Sequence, residues 1–504
     1  MNKKRIVIIG GGSAGWITAS ILAKGLPSAE YDISLIESPD IPTIGVGEAT
    51  IPPIIHLINY LDLDETDFIK KIEGTYKYGI HFENWSTLGH SYMHAFGEIG
   101  KNSVDSSFTQ MWLAYKSSLN LPPLNHFSPC AVAAYSNKFS RPSLPSDAHP
   151  EKYYPLSKLF YAYQFDAGLL AKYLKNIALN LGINYISDNV IKVTTDTNIG
   201  IKSVTLTNNA VISADYFVDC SGTRGLLNKQ ALHCEYEGWD KYLPCDRAVV
   251  VQTKSLGDPF PYTKSIAMNA GWRWQIPLQT RTGNGYVYSS KHISDEEALN
   301  ELSQALTDHE KINEYRVIKF QTGSLKTPWF KNSIALGLSG SFFEPLESTS
   351  IHMTHKYALE LKNAFIYGTN MAEEATNFNA AFHKDSLSIR DFLIAHYCTT
   401  QRDDTSFWRD MQLLSRPQSL QSYLNEFEKT GEITLPQGSL FPYQSWLQIL
   451  IGQQYLNKEI TFTQNRPNQT DEEMKIFFTD IANSIQTEIN SLPTHSDFIR
   501  NENK

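Results

Sequence analysis

Residues 5–24, RIVIIGGGSAGWITASILAK, restrict the fold of this chain more than any other stretch. A short apolar run ends at a glycine cluster, and an apolar run with helical spacing follows. Gly10, Gly12 and Gly15 stand in GxGxxG spacing. In a strand–turn–helix unit these glycines permit a sharp turn, let the backbone approach a pyrophosphate, and allow close helix–strand packing. The helix then offers its first amides to phosphate oxygens. The next strand, YDISLIES, ends at Glu37, the acidic position that would bind the adenosine ribose. Without the glycines Glu37 would read as a solvated strand end. Only one such fingerprint occurs, so one bound dinucleotide is expected.

Length and composition narrow the class. The chain has 504 residues, enough for two domains or for one large α/β unit with an attached lobe. Its 41% hydrophobic and 19% charged content are those of a globular protein with a sizeable core. A net charge of −9 argues against nucleic acid as the main partner. The five cysteines are scattered without a CxxC pair, which points to reduced structural thiols and against a disulfide-reductase flavoprotein or a zinc site. The N-terminal apolar run breaks too early for a signal peptide, and no run reaches membrane-spanning length. A soluble, cytoplasmic protein with no metal and no membrane partner is expected.

Later segments extend the first module. FDAGLLAKYLKNIALNLGINYI reads as an amphipathic helix leading into a strand, and ADYFVDCSGTRGLL as a buried strand ending at Gly222 and Gly225. SIALGLSGSFFEPLESTSIHMTHKYALELKNAF is again strand, turn and helix. The expected fold is α/β, a flavin monooxygenase-like FAD-binding module of Rossmann-type βαβ units with a mainly helical substrate-binding lobe. The expected boundaries are 1–90 and 151–370 for the FAD module, and 91–150 and 371–504 for the lobe. Within FFEPLESTSI (342–351), Glu344 and Glu347 enter an apolar neighbourhood. Burying a carboxylate costs several kcal/mol unless it is paired, so at least one of the two should have a task.

Three further stretches identify a family. GWRWQIPL carries Trp272, Trp274, Ile276 and Pro277 in a WxWxIP arrangement. IPTIGVGEATIPPI carries Gly45, Gly47 and Glu48, and GTYKYGIHFENW carries Lys77. Together with EPLESTSI, these stretches resemble the flavin-dependent halogenases of the tryptophan halogenase type, nearly end to end. The resemblance implies that reduced FAD, delivered by a separate flavin reductase, activates oxygen to convert a halide into hypohalous acid. It also implies that this acid travels an internal tunnel to a lysine beside an electron-rich, indole-like substrate.

The same resemblance implies residue roles. Lys77 and Glu347 are the catalytic pair. A lysine can hydrogen-bond hypohalous acid or form a haloamine, and a carboxylate can polarise the halogenating species or accept the ring proton. Glu344, before Pro345, is then structural. Gly10, Gly12, Ser13, Ala14, Gly15, Glu37, Gly47, Glu48, Ala49, Leu338 and Ile351 hold FAD. Thr349 and Ser350, at a helix start, hold chloride or bromide. Some relatives carry glycine where Ser350 stands. His94, Phe96 and Trp446 contact substrate, with stacking as the attraction. Trp272 and Trp274 are a signature that screens the flavin side, although indoles at i and i+2 also commonly share one strand face. The chain lacks the longer acidic and aromatic segment that clamps free tryptophan, so indoles, phenols or larger aromatics are the expected substrates. Ser324 stands where relatives often carry arginine. The competing readings are a flavin-dependent aromatic hydroxylase and a flavin-binding protein without catalysis.

Overall fold

The strand Lys4–Ile9 lies inside a six-stranded sheet because its apolar run can be covered on both faces. The order across that sheet is Trp329–Phe330, Ser333–Ala335, Tyr216–Asp219, Lys4–Ile9, Tyr31–Glu37, Asn184–Ser187. Every neighbouring pair is parallel except the first. Ile9 is level with both Asp219 and Ile36. Gly10, Cys220 and Glu37 therefore leave the three central strands side by side, at the edge where open α/β sheets bind ligands.

The computed structural model describes residues 3–41, 47–103, 106–149, 152–455 and 469–502. The helix Ser13–Gly25 is buried from Gly15 through Leu22, and its two polar residues in that stretch, Thr18 and Ser20, donate to backbone carbonyls. The helices Ala167–Asn180 and Ser350–Tyr367 flank it. On the other face a meander of Val190–Asp196, Gly200–Leu206 and Val211–Ile212 packs Ile201, Val204 and Leu206 against Val7, Ile9 and Phe217. The helix expected from FDAGLLAKYLKNIALNLGINYI is present. Asp166 caps its start, accepting from the Leu169 N–H at 2.9 Å, and the strand Asn184–Ser187 follows.

The chain divides into two compact units. The first comprises Met1–Gly74, Phe165–Arg247 and Ile318–Arg390, and the second Thr75–Gln164, Ala248–Val317 and Asp391–Lys504. Residues 75–90, 152–164 and 248–317, expected with the FAD module, thus fall in the second unit, and residues 371–390, expected with the lobe, fall in the first. Strand pairing is the reason. A cut at residue 90 would split the hairpin in which Gly79 faces Ala95, and Thr263 continues that sheet by pairing with Ile80.

The second unit combines the helices expected of the lobe with a sheet. Its sheet has seven strands, in the order Arg316–Lys319, Arg247–Lys254, Arg281–Tyr288, Gly271–Pro277, Thr263–Met268, Gly79–Glu83, Ser91–Ala95. The helix Asp295–Ala305 covers one face through Ala298 and Leu302, packed on Val249, Val251, Tyr286 and Tyr288. The C-terminal quarter is helical, as its pattern implies, with Gln418–Thr430, Tyr443–Gly452, Asp471–Asn490 and His495–Glu502. Among the described residues no helix is long and apolar enough to cross a membrane.

Candidate active site

In the first unit the three fingerprint glycines separate by function. Gly10 has φ +115°, and a Cβ there would lie 2.2 Å from the Cys220 carbonyl oxygen. A Cβ on Gly15 would lie 1.9 Å from the Gly10 carbonyl oxygen. Both glycines are demanded by packing. At Gly12 a Cβ would meet nothing within 4 Å, so the backbone there faces open space. No side chain caps the helix that follows, and Gly12, Ser13 and Ala14 are partly exposed in front of a buried helix. This is the cradle that a pyrophosphate needs. The Gly337–Ser339 turn, containing Leu338, abuts it: a Cβ on Gly337 would come within 2.5 Å of the Ala14 Cβ.

Glu37 closes the cradle, its carboxylate packed so tightly on Gly11 that a Cβ there would lie 2.2 Å from Oε1. Its Oε2 accepts a hydrogen bond from Lys175 Nζ at 2.7 Å. Asp219, fully buried, organises the neighbouring turn by accepting from the backbone N–H groups of Ser221, Leu227 and Asn228 at 3.1, 2.8 and 3.0 Å. Glu48 lies on the short strand Gly47–Ala49. Burial, and secondarily the Asp166 carboxylate, push its carboxyl up to about 7. Gly45 of the same motif lies outside the described residues.

The stretch 344–351 makes a tight reversal in this unit. Pro345–Glu347 is a single 3₁₀ turn, Ser348 takes φ +56°, and the helix Ser350–Tyr367 begins immediately after Thr349. A non-glycine residue with positive φ persists where its surroundings enforce it. Glu344 and Glu347 are 1% and 0% exposed, so burial does not distinguish them. The Thr349 hydroxyl is buried and has no hydrogen-bond partner among the described residues, and no side chain caps the helix. A buried hydroxyl beside uncapped amides is the donor set that an anion requires. Ile351 and His355 follow, both buried. Burial holds the His352 and His355 imidazoles down at about 3 and about 4, so both are neutral near pH 7. Ser324 is buried in the same unit, with its hydroxyl 3.3 Å from that of Ser386.

In the second unit Lys77 ends the strand Thr75–Lys77, opposite Ala162, and is 0% exposed. Its Nζ stands 5.4 Å from the centre of the Phe96 ring. Phe96 is held in place by its N–H, which donates to the Tyr78 carbonyl at 2.7 Å. A buried polar chain starts at the first residue of the same strand. Thr75 Oγ1 donates to the Pro277 carbonyl at 2.8 Å, Gln164 Nε2 donates to Thr75 Oγ1 at 3.1 Å, and Thr263 Oγ1 donates to Gln164 Oε1 at 3.0 Å.

His94 and Trp446 meet through a shared neighbour. Phe392 lies 5.6 Å from the His94 ring and 5.0 Å from Trp446, and it stacks on Phe441 at 3.9 Å. Trp272 and Trp274 share one strand face with centroids 6.1 Å apart. Trp274 lies on Gly285, directly across the sheet, where a Cβ would come within 2.2 Å of the indole. Lys77 and Phe96 are thus together, and His94 and Trp446 both meet Phe392.

The family model for tryptophan halogenases matches residues 5–467. The chain belongs to the tryptophan halogenase family. It is 33% identical over 480 residues to tryptophan 6-halogenase SttH of Streptomyces toxytricini, covering 90% of this chain and 89% of that protein. Among solved structures it is similar to the flavin-dependent halogenase Xcc4156 of Xanthomonas campestris, with TM-score 0.91, 33% identity and coverage of 100% and 99%. It is also similar to the flavin-dependent halogenase BrvH of Brevundimonas sp. BAL3, with TM-score 0.90, 32% identity and full coverage of both chains.

Members of this halogenase family use reduced FAD from a separate flavin reductase together with chloride or bromide, and the chain is such an enzyme. The hydroxylase reading is not favoured. Sequence reading did not single out Lys175, Asp219, Gln164 or Thr75. Each is marked out by its hydrogen bonds, which no local motif signals.

Proposed function

We propose that this halogenase installs chlorine or bromine on an electron-rich, indole-like aromatic compound in the cytoplasm, with Lys77 directing the oxidised halogen to the ring. The observation that carries the reading is the complete burial of Lys77 with its Nζ over the Phe96 ring. A buried amine costs several kcal/mol and is kept for a task that water would spoil.

FAD fits the first unit by the open approach at Gly12, the uncapped helix behind Ser13 and Ala14, and the carboxylate of Glu37. When bound and reduced, it supplies the electrons with which oxygen is activated to oxidise the halide. Gly10 and Gly15 shape the turn, Leu338 and Ile351 line it, and Gly47–Ala49 closes it with Glu48. Thr349 donates its hydroxyl to the halide, assisted by the backbone at Ser350. Lys77 donates a hydrogen bond to the oxygen of hypohalous acid, or as the neutral amine takes the halogen from that oxygen to give a haloamine with release of water, and so keeps it from escaping. As the carbon–halogen bond forms, the ring carbon carries an extra proton, which the Glu347 carboxylate accepts. Phe96 supports the substrate ring. His94 and Trp446 contribute through the Phe392 cluster. The stretch around Tyr443 and Trp446 lacks the longer acidic and aromatic segment that clamps free tryptophan, which supports indoles or phenols as substrates.

Lys77→Ala should abolish halogenated product while FAD binding and oxygen consumption persist, read by halogen isotope patterns in mass spectra with a reductase, NADH and halide supplied. Oxygenated product in halide-free buffer would instead establish a hydroxylase. Faster halogenation of tryptophan than of indole would overturn the substrate assignment.

A further inference from the structure

The strand that carries Lys77 is held from behind by the far end of the chain. In the strand Thr75–Lys77 successive side chains point to opposite sides. Lys77 reaches over Phe96, and Tyr76 points away from it into a separate pocket. The Tyr76 ring stacks on Phe139 at 4.2 Å and meets the edge of Phe498 at 5.4 Å. Arg141 Nη2 donates to the Tyr76 hydroxyl at 3.2 Å and to Glu502 Oε2 at 2.6 Å. Two of these neighbours, Phe498 and Glu502, lie on the helix His495–Glu502.

The first residue of that helix makes the decisive contact. Along one edge of the chain from Tyr76 to Tyr78, the amides face the segment Asp258-Pro259-Phe260-Pro261. The Tyr78 N–H bonds the Pro261 carbonyl directly at 2.7 Å. Two residues earlier an imidazole fills the place of the direct bond. The Tyr76 N–H donates to His495 Nε2 at 3.1 Å, and His495 Nδ1 lies 2.8 Å from the Pro259 carbonyl oxygen. An amide can only donate and a carbonyl can only accept, so Nδ1 carries the proton and Nε2 the lone pair. His495 is 0% exposed, and burial keeps it neutral. The imidazole thereby relays one backbone hydrogen bond across a gap between two chain segments. A buried amide needs such a partner.

We infer that the helix His495–Glu502 is a clamp on the Lys77 strand, and that His495 is a positioning residue for halogen transfer. The inference rests on Lys77 being the directing group. The helix is itself seated on the segment that carries Phe139 and Arg141. The His495 N–H donates to the Asn137 carbonyl at 2.9 Å, the Phe139 N–H donates to the Pro493 carbonyl at 3.2 Å, and Lys138 Nζ donates to the Leu492 carbonyl at 2.6 Å. The clamp holds the backbone one residue from Lys77, so its loss moves the amine without removing it. A small misplacement of a directing group costs on the order of a hundredfold in productive transfer.

The test uses the full-length enzyme with FAD, a reductase, NADH, bromide and an indole. Two products are measured, brominated indole and hypobromous acid captured in solution by a diketone trap. His495→Leu should lower brominated indole at least about tenfold while trapped hypobromous acid holds or rises and FAD affinity is unchanged. His495→Gln, which restores an acceptor near the Nε2 position, should return to within about threefold of wild type. Arg141→Gln cuts the link from Glu502 through Arg141 to the Tyr76 hydroxyl at a half-buried site and leaves the His495 relay in place, and it should shift the same ratio in the same direction by about two- to threefold. It carries the test if the leucine variant does not fold. A merely structural role predicts that both products fall together, in step with folded protein, and that glutamine does not rescue; either result overturns the clamp. If Lys77→Ala itself leaves the ratio unchanged, the directing role of Lys77 falls. If Lys77→Ala shifts the ratio but neither His495→Leu nor Arg141→Gln does, the clamp alone falls.

Discussion

A methyl group added at Gly10 would lie 2.2 Å from the Cys220 carbonyl oxygen at a φ of +115°, whereas at Gly12 it would meet nothing within 4 Å. The two substitutions should therefore part company. Gly10→Ala should destabilise the apoprotein by roughly 3 kcal/mol or more, through strain and overpacking together. Gly12→Val should leave apoprotein stability within about 1 kcal/mol but sharply weaken FAD binding, since its side chain takes the space of the phosphates. Denaturant unfolding without FAD, followed by FAD titration, checks both. Glu48 adds a pH dependence at the same scale. Its carboxyl is raised from the ordinary 4.5 to about 7, so the fold favours the neutral form. That contribution is fully present below the ordinary value and is lost as pH rises through about 7. FAD affinity should decline across the same window as negative charge appears beside the cradle, and Glu48→Gln should flatten the decline in titrations on either side of neutrality.

At the scale of elements, one amide joins the helix Tyr443–Gly452 to the edge strand Ser91–Ala95. Gln448 accepts from the Ala95 N–H at 2.9 Å and donates to the Ala95 carbonyl at 3.1 Å, completing the strand edge with a side chain. Gln448→Leu leaves both backbone groups buried without partners, which costs about 2 to 3 kcal/mol. The loss should be visible as a lower denaturation midpoint with an unchanged slope. Because Phe96 follows Ala95 directly, the same variant should also raise KM for the aromatic substrate. The helix Ser13–Gly25 shows the opposite economy: it is buried on all sides, so its packing rather than its caps sets its stability.

For the whole molecule, four histidines, two buried (His355 and His495) and two partly buried (His81 and His352), point to acid lability. His81, His352, His355 and His495 are lowered from the ordinary 6.5 to about 4, 3, 4 and 4, with burial the largest cause in each. A depressed imidazole contributes stability that is fully present above the ordinary value and is lost as pH falls toward the folded one. His495, fully buried, accounts for roughly 3 kcal/mol of that loss on its own. Denaturant midpoints should fall steeply between about pH 6.5 and pH 4, and His495→Gln should shallow the fall although it starts from lower stability at neutral pH.

The dinucleotide cradle was legible in the sequence because its logic is local. Gly10, Gly12 and Gly15 serve one turn, and Glu37 ends the strand that the same βαβ unit places beside it. The reversal at 344–351 was legible too, since its proline, hydroxyls and following helix are contiguous. The unit boundaries were not. Thr263 pairs with Ile80 and Gly79 with Ala95, and long-range strand pairing leaves no mark on the composition of either segment. Nor did composition show that the Phe96 ring lies against Lys77, because which ring meets the amine depends on how distant strands pack. The clearest case is His495, whose Nε2 receives the amide of a residue 419 positions away. Short-range backbone geometry lets spacing dictate a turn and its cofactor chemistry. Holding Lys77 in place depends on which distant groups bond the edge of its strand, and that choice is made only when the chain packs.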